Sequence, residues 1–116
     1  MRDKIGDLAR LLHIRDSITE LEEFLSEKDH KNFLQNRMLQ AACIRQLEII
    51  GEATNHISKE IKQNFSDIEW REITSLRNLL IHEYFGIDLN IVWEIISTDI
   101  PKLKMQIVKI IQKLQY

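Results

Sequence analysis

The sequence predicts an all-α protein, an up-and-down bundle of four to five helices. Its 116 residues include only three Gly and one Pro, so residues that break helices are scarce. Apolar residues recur every three or four positions, which places them on one face of a helix. No stretch shows the alternation of a strand. With 44% hydrophobic and 29% charged residues the chain has a globular composition, and its length predicts one domain over residues 1–116.

The first predicted helix spans about residues 2–27, and a second, opened by Asp29 or a nearby polar residue, spans about residues 30–64. The apolar side of the first comprises Ile5, Leu8, Leu12, Ile18, Leu21 and Leu25. The second has an apolar stripe of Leu39, Cys43, Leu47, Ile50, Thr54, Ile57 and Ile61, and a polar stripe of Arg45, Glu48, Glu52, Asn55, Lys59 and Lys62. Gly51 lies between these stripes and predicts a kink or the close approach of another helix.

The third helix is predicted to begin with a capping box formed by Ser66 and Glu69, and to end near Tyr84 ahead of Gly86. Its buried side comprises Trp70, Ile73, Leu76, Leu80 and Ile81.

Asp88 is predicted to cap the fourth helix, whose apolar pattern continues to the end of the chain. Pro101 lies inside that pattern. Because proline lacks a backbone donor, we expect it to kink the helix or divide it, with Thr98 or Asp99 capping the second half.

Charge and hydropathy exclude several classes of protein. The net charge of −2 argues against a domain that binds duplex DNA, because such domains are usually basic. No segment is apolar enough to span a bilayer, and the opening "MRDKIGDLARLL" lacks the apolar core of a signal peptide. Cys43 has no second cysteine to pair with and is expected to be a small buried residue. A cytoplasmic location is therefore expected.

The segment "LRNLLIHEYFGID" places Arg77, His82 and Tyr84 within eight residues. On an ideal helix Arg77 and Tyr84 share a stripe, whereas His82 lies roughly 140° from Arg77. The three converge if the helix loosens near His82, or if His82 comes from a second chain across a symmetric interface. An ordinary structural explanation also exists: a solvated arginine, a histidine at a helix end and a core tyrosine.

The order of these residues resembles a known motif. The run from Arg77 to Tyr84 looks like the Arg-x-x-x-x-His-x-Tyr motif of the HepT-like toxins, which belong to the HEPN superfamily of helical proteins. The segments "IRQLEIIGEATNHIS", "IEWREITSLRNLLIHEYFGIDLNIVWEII" and "STDIPKLKMQI" are similar to further parts of that family, so the resemblance covers nearly the whole chain. One departure is Glu69, where many members carry proline, and it leaves the motif untouched.

The resemblance implies a HEPN-like domain over residues 1–116 that acts as a metal-independent endoribonuclease toxin of a type II (or type VII) toxin–antitoxin pair. It implies an RNA substrate, a homodimer, and neither a cofactor nor a metal. The implied antitoxin is an MNT-type minimal nucleotidyltransferase that transfers AMP onto the motif tyrosine, Tyr84. An added AMP would place bulk and phosphate charge beside the other motif residues.

In this interpretation Arg77 clamps the phosphate and His82 is the general base or acid. Asn78 orients His82 or the phosphate. One histidine leaves the opposite proton transfer unassigned, and a second copy of His82 in a homodimer could supply it. The polar stripe, through Glu48, Glu52 and Asn55, is expected to line the cleft.

The other histidines, His13, His30 and His56, are scattered in the sequence and are interpreted as surface or helix-end residues. No metal-ligand spacing and no glycine-rich phosphate loop is present. The alternative function is a noncatalytic helical partner or regulatory subunit of a minimal nucleotidyltransferase, for which the motif would be a docking and modification site. A purely structural dimer fits the composition but does not explain the clustered motif.

Overall fold

A computed structural model describes residues 2–79 and 86–115, and every regular element within them is helical, which confirms the predicted all-α class. The elements are α1 (Arg2–Phe24), α2 (His30–Gln35), α3 (Arg37–Asn55), α4 (Lys59–Asn64), α5 (Trp70–Thr74), a 3₁₀ turn (Ser75–Asn78), α6 (Leu89–Glu94), a π segment (Ile95–Asp99) and α7 (Ile100–Gln115). None of the helices in this part of the chain has the length and apolarity needed to cross a membrane.

The longest helices, α1, α3 and α7, form the body of the bundle. Helix α1 packs against both α3 and α7, and α3 packs on its other flank against α5 and the 3₁₀ turn. Because α1 is covered from two sides, it buries a wider stripe than its sequence predicted. Leu11 and Ile14, absent from the predicted stripe, are fully buried, whereas Leu8 and Leu12 are only partly buried.

The predicted second helix is three helices. Asn36 has an extended backbone, and its side chain accepts a hydrogen bond from the backbone N–H of Leu39 to cap α3. Ser58 caps α4 in the same way. Asparagine and serine side chains compete for backbone hydrogen bonds, so both positions favour caps over helix interiors. The predicted apolar stripe nevertheless continues through α3 and α4, since all of its residues are buried.

Asp29 opens α2 as predicted, through a reciprocal pair of hydrogen bonds with Asn32.

A second carboxylate, that of Asp7, is buried and joins α1 to the start of α4. It accepts hydrogen bonds from the backbone N–H of Ser58 at 2.8 Å and from its Oγ at 2.6 Å. Burial lowers the pKa of the nearby Lys62, and the negative charge of Asp7 opposes that shift. These contacts fix where the chain turns after α3.

The predicted capping box of the third helix is wrong. Helix α5 begins at Trp70 with Glu69 at its N-cap, and no side chain caps it. The start of α5 is stabilised instead by the indole of Trp70. Its Nε1 donates to the carbonyl oxygen of Phe65 at 3.0 Å, and the ring is buried. Leu80, Ile81 and the predicted end near Tyr84 lie outside the described residues.

Asp88 caps α6 as predicted, accepting hydrogen bonds from the backbone N–H groups of Asn90 and Ile91. The prediction that Thr98 or Asp99 caps a new helix is wrong, because the helix continues through the π segment into α7. The N–H of Ile100 bonds to the carbonyl of Ile95, five residues back. Such a turn is wider than an α-helical one and accommodates the ring of Pro101, which in a regular helix would collide with a carbonyl.

Gly51 is the point of closest contact between α3 and the chain from α5 into the 3₁₀ turn. A Cβ atom at residue 51 would overlap the backbone nitrogen of Arg77 and lie 3.1 Å from its Cα and from the carbonyl oxygen of Ile73. Of the two outcomes predicted for this glycine, the close approach of another helical segment is the one observed.

We therefore expect Gly51→Ala to destabilise the protein by about 1–3 kcal/mol, because the overlap is with backbone that cannot rotate away. The matched control is Gly6→Ala in α1, where an added Cβ would meet no described atom within 4 Å beyond its chain neighbours and its own helix backbone. That control should stabilise the helix by up to about 1 kcal/mol. Urea unfolding of both variants measures the difference, and equal stabilisation by the two alanines would contradict the tight crossing.

Candidate functional site

An open cleft of about 750 Å³ lies between α1, α3 and the 3₁₀ turn. Its lining combines charged and polar side chains with two apolar residues. The lining residues are Arg10, His13, Arg45, Glu48, Ile49, Glu52, Ala53, His56, Arg77 and Asn78.

Helix α3 supplies the longest wall. Glu48, Glu52 and His56 are spaced four residues apart, so they follow one another along a single helix face. Ile49 and Ala53, on the same helix, are the apolar residues of the lining. Glu48 is paired with Arg45 on the same helix. The opposite face of α3 is the buried stripe, so the same helix carries the core and one wall of the cleft.

The 3₁₀ turn supplies Arg77 and Asn78. This tightened backbone is held by the hydroxyl of Ser75, which donates to the carbonyl of Glu72 at 2.6 Å, and by the bond from the N–H of Leu79 to the carbonyl of Leu76 at 3.1 Å. Since the backbone of Arg77 abuts Gly51, its side chain emerges beside the next residue of α3, Glu52.

One carboxylate contacts two basic side chains. Oε2 of Glu52 lies 3.7 Å from Nη1 of Arg77, and Oε1 of Glu52 lies 3.0 Å from Nε2 of His56. The contact with Arg77 is longer than a hydrogen bond, and the arginine side chain is 38% exposed. An exposed pair of this kind contributes less than about 1 kcal/mol, so an incoming anion can replace the carboxylate at Arg77.

The cleft carries a local excess of positive charge although the chain is acidic. Arg10 and His13, on α1, face the α3 wall. Three arginines line the cleft against two glutamates, and His13 and His56 add positive charge when protonated. Such a site suits an anion that approaches from solvent, such as a phosphate of a flexible chain.

Several predicted site residues do meet in this cleft: Arg77, Asn78, Glu48 and Glu52 line it together. Asn55, predicted to line it too, is exposed but is absent from its walls. His82 and Tyr84 lie outside the described residues.

Sequence reasoning missed His13 and His56, which were judged too scattered to form a site. The structure brings both into the cleft. A signal was present, because His56 follows Glu52 by four residues and so shares its helix face. His30 fits its predicted role as a surface residue, since its exposed ring stacks on Trp93 and its Nε2 lies 3.0 Å from Oδ1 of Asn90.

The cysteine of the chain is not activated as a nucleophile. Burial raises the pKa of the Cys43 thiol to about 11, so it stays protonated at neutral pH and is a poor nucleophile. Within residues 2–79 and 86–115, no group of three or more His, Cys, Asp or Glu side chains is arranged to hold a metal ion.

Comparison with known proteins identifies relatives along most of the chain. A family model described as "Ribonuclease HepT-like" matches residues 14–110. A Methanocaldococcus jannaschii protein named "Putative RNase" is 41% identical over 99 residues, covering 85% of this chain and 91% of that protein. A Thermococcus cleftensis protein named "Probable ribonuclease HepT" is 43% identical over 91 residues, covering 78% and 83% respectively.

A further M. jannaschii protein, named "Gamma-glutamylcyclotransferase and putative RNase", is 42% identical over 104 residues. The match covers 90% of this chain but only 47% of that longer protein. No solved structure gives a significant match.

Proposed function

Because this chain belongs to the HepT-like ribonuclease family, we propose that it is a metal-independent endoribonuclease whose active site includes Arg77 and His82. The observation that supports this most directly is the position of Arg77. The first residue of the motif lies in an open, locally cationic cleft, next to Asn78 and opposite Glu52. A flexible RNA strand can enter such a cleft and present a phosphate to the guanidinium.

In the proposed reaction the 2′-hydroxyl of RNA attacks the adjacent phosphate and displaces the 5′-oxygen. The products are a cyclic phosphate and a free 5′-hydroxyl. Arg77 binds the phosphate through its forked donors and stabilises the charge that develops on it. His82 transfers a proton as base or acid, and Asn78 orients His82 or the phosphate. Glu52 supports Arg77 before substrate binds.

We further propose that the protein works as a homodimer and as the toxin of a toxin–antitoxin pair. Its antitoxin would be a minimal nucleotidyltransferase that transfers AMP from ATP to the hydroxyl of Tyr84. The added phosphate would compete with RNA for Arg77, because both are anions.

Arg77→Ala and His82→Ala are each expected to abolish RNA cleavage while the protein stays folded. Removing the half-exposed side chain of Arg77 opens no cavity in the core. Cleavage of mixed RNA, with and without EDTA, and thermal unfolding measure the two properties. Arg71→Ala is the control, since this exposed arginine of α5 lies outside the cleft and should leave cleavage unchanged.

Two results would contradict this assignment. Loss of activity in EDTA, restored by a defined divalent ion, would show that catalysis needs a metal. Collapse of the fold in both variants would show that the two residues are structural.

We expect the protein to sediment as a homodimer at micromolar concentration, with the two copies of residues 77–84 facing a shared cleft. Analytical ultracentrifugation measures the mass, and mixing Arg77→Ala with His82→Ala subunits tests the shared site. Partial recovery of cleavage in the mixture is expected if each cleft uses residues of both subunits. A monomer that remains active on RNA would refute the dimeric site.

Tyr84→Phe should keep much of the ribonuclease activity but escape control by the nucleotidyltransferase, because a phenol ionises only near pH 10 and is a poor proton shuttle at neutral pH. Intact mass spectrometry after incubation with that enzyme and ATP should show added AMP on the wild type and not on Tyr84→Phe. Tyr116→Phe is the matched control, since Tyr84 and Tyr116 are the two tyrosines of the chain.

Equal modification of Tyr84→Phe would place the acceptor at another residue. Complete loss of cleavage in Tyr84→Phe would make the tyrosine catalytic or structural. If no form cleaved RNA but the wild type still accepted AMP, the noncatalytic partner of a nucleotidyltransferase would be the better description.

A further inference from the structure

We propose that His56 is the second proton-transfer group of the reaction and donates a proton to the departing 5′-oxygen of RNA. This inference rests on the proposed ribonuclease function and assigns the role that one motif histidine leaves unfilled. The motif itself does not include His56, which is brought to the cleft by the C-terminal end of α3.

The position of His56 relative to Arg77 carries the proposal. Both side chains contact the same carboxylate, that of Glu52, one at each oxygen. The ring and the guanidinium therefore lie on either side of one carboxylate, at 3.0 Å and 3.7 Å from its two oxygens. A phosphate bound to Arg77 would lie in the cleft that His56 also lines, and rotation of the exposed histidine side chain would bring its ring to a leaving oxygen there.

Glu52 is the positioning residue in this arrangement. Its Oε1 holds Nε2 of His56 at 3.0 Å, so Nδ1 is the ring nitrogen that can turn to the substrate. The carboxylate also complements the positive charge of an imidazolium, which is the form that can donate a proton. A carboxylate that fixes a histidine ring and its tautomer is a recurrent feature of proton-transfer sites.

The other histidines of the described chain are weaker candidates. His13 lines the cleft from α1, but no hydrogen bond joins it to a described residue and it does not share the carboxylate that contacts Arg77. His30 lies away from the cleft, against Trp93. His56 is thus the described histidine that is both oriented and adjacent to the proposed phosphate position.

The proposed step is balanced without any added reactant. The bond between the 2′-oxygen and phosphorus forms as the bond between phosphorus and the 5′-oxygen breaks. The proton of the 2′-hydroxyl passes to a base, for which His82 is the candidate, and the proton on Nδ1 of His56 passes to the 5′-oxygen. The charged and titratable groups that line the cleft with His56 are Arg45, Glu48 and Glu52 from α3, Arg77 from the 3₁₀ turn, and Arg10 and His13 from α1.

The decisive experiment replaces the leaving oxygen with sulfur. A short RNA cleaved by the wild type is synthesised with a bridging 5′-phosphorothiolate at its mapped cleavage site. Sulfur departs as a stable thiolate and needs no proton, so a variant that lacks the general acid should regain activity on this substrate. His56→Gln is expected to cleave ordinary RNA about 10²–10⁴-fold more slowly than the wild type, but the sulfur substrate within about tenfold of it.

Two further variants separate this role from others. Any loss in His13→Gln, in the same cleft, should be equal on both substrates. Glu52→Ala removes the acceptor that orients the ring, so it should slow the cleavage of ordinary RNA more than the cleavage of the sulfur substrate. Circular dichroism checks folding, and the His56 side chain, 51% exposed, contributes little packing to lose.

Each outcome bears on one claim. Failure of the wild type to cleave ordinary RNA would overturn the proposed function itself. If the wild type cleaves and His56→Gln is equally active, the acid is another group, such as His82 of a second copy, and the inference fails. Equal loss of His56→Gln on both substrates would reduce His56 to a binding or structural residue and would also overturn it.

Discussion

The close contact at Gly51 is the constraint on which the site depends. Because residue 51 has no side chain, the backbone of Arg77 can lie against α3 at a distance that any Cβ would prevent. This contact sets how closely the 3₁₀ turn packs on α3. It therefore places the side chain of Arg77 beside Glu52. Glycine in the interior of a helix usually destabilises it by about 1 kcal/mol relative to alanine. Here that cost is offset by the packing of two segments whose side chains form opposite walls of one cleft.

The electrostatics of the cleft follow from the same crossing. Glu52 lies one residue after the contact, so it meets Arg77 from the side. The resulting ion pair is exposed and weak, which allows a phosphate to compete with it. The carboxylate also offsets the positive charge that the arginines bring to the cleft. With it, Arg77 and His56 are both held near one position at little cost to the binding of an anion.

Periodicity predicted the helical class and the buried stripe of α3 and α4 because both depend on local spacing that the sequence displays directly. It did not predict the breaks at Asn36 and Ser58, because a short polar residue can either occupy a helix or cap one. At Ser58 the break is stabilised by a hydrogen bond to Asp7, which lies 51 residues earlier in the sequence. The cleft shows the same division. Arg77 and Glu52 were candidates from the motif and the polar stripe, whereas His13 depends on how α1 packs against α3, which no local pattern encodes.

Helix α3 separates stability from chemistry by direction around its axis. Leu47, Ile50 and Thr54 point into the core, and Glu48, Glu52 and His56 point into the cleft. Substitution of the core residues is expected to destabilise the fold, because each side chain is buried among closely packed neighbours. Glu52 and His56 are about half exposed, so their side chains can be exchanged with small effects on folding. Gly51 links the two sets, since its close contact with the backbone of Arg77 sustains both the packing of the bundle and the position of the Arg77 side chain. We therefore expect a substitution at residue 51 to alter stability and the cleft together.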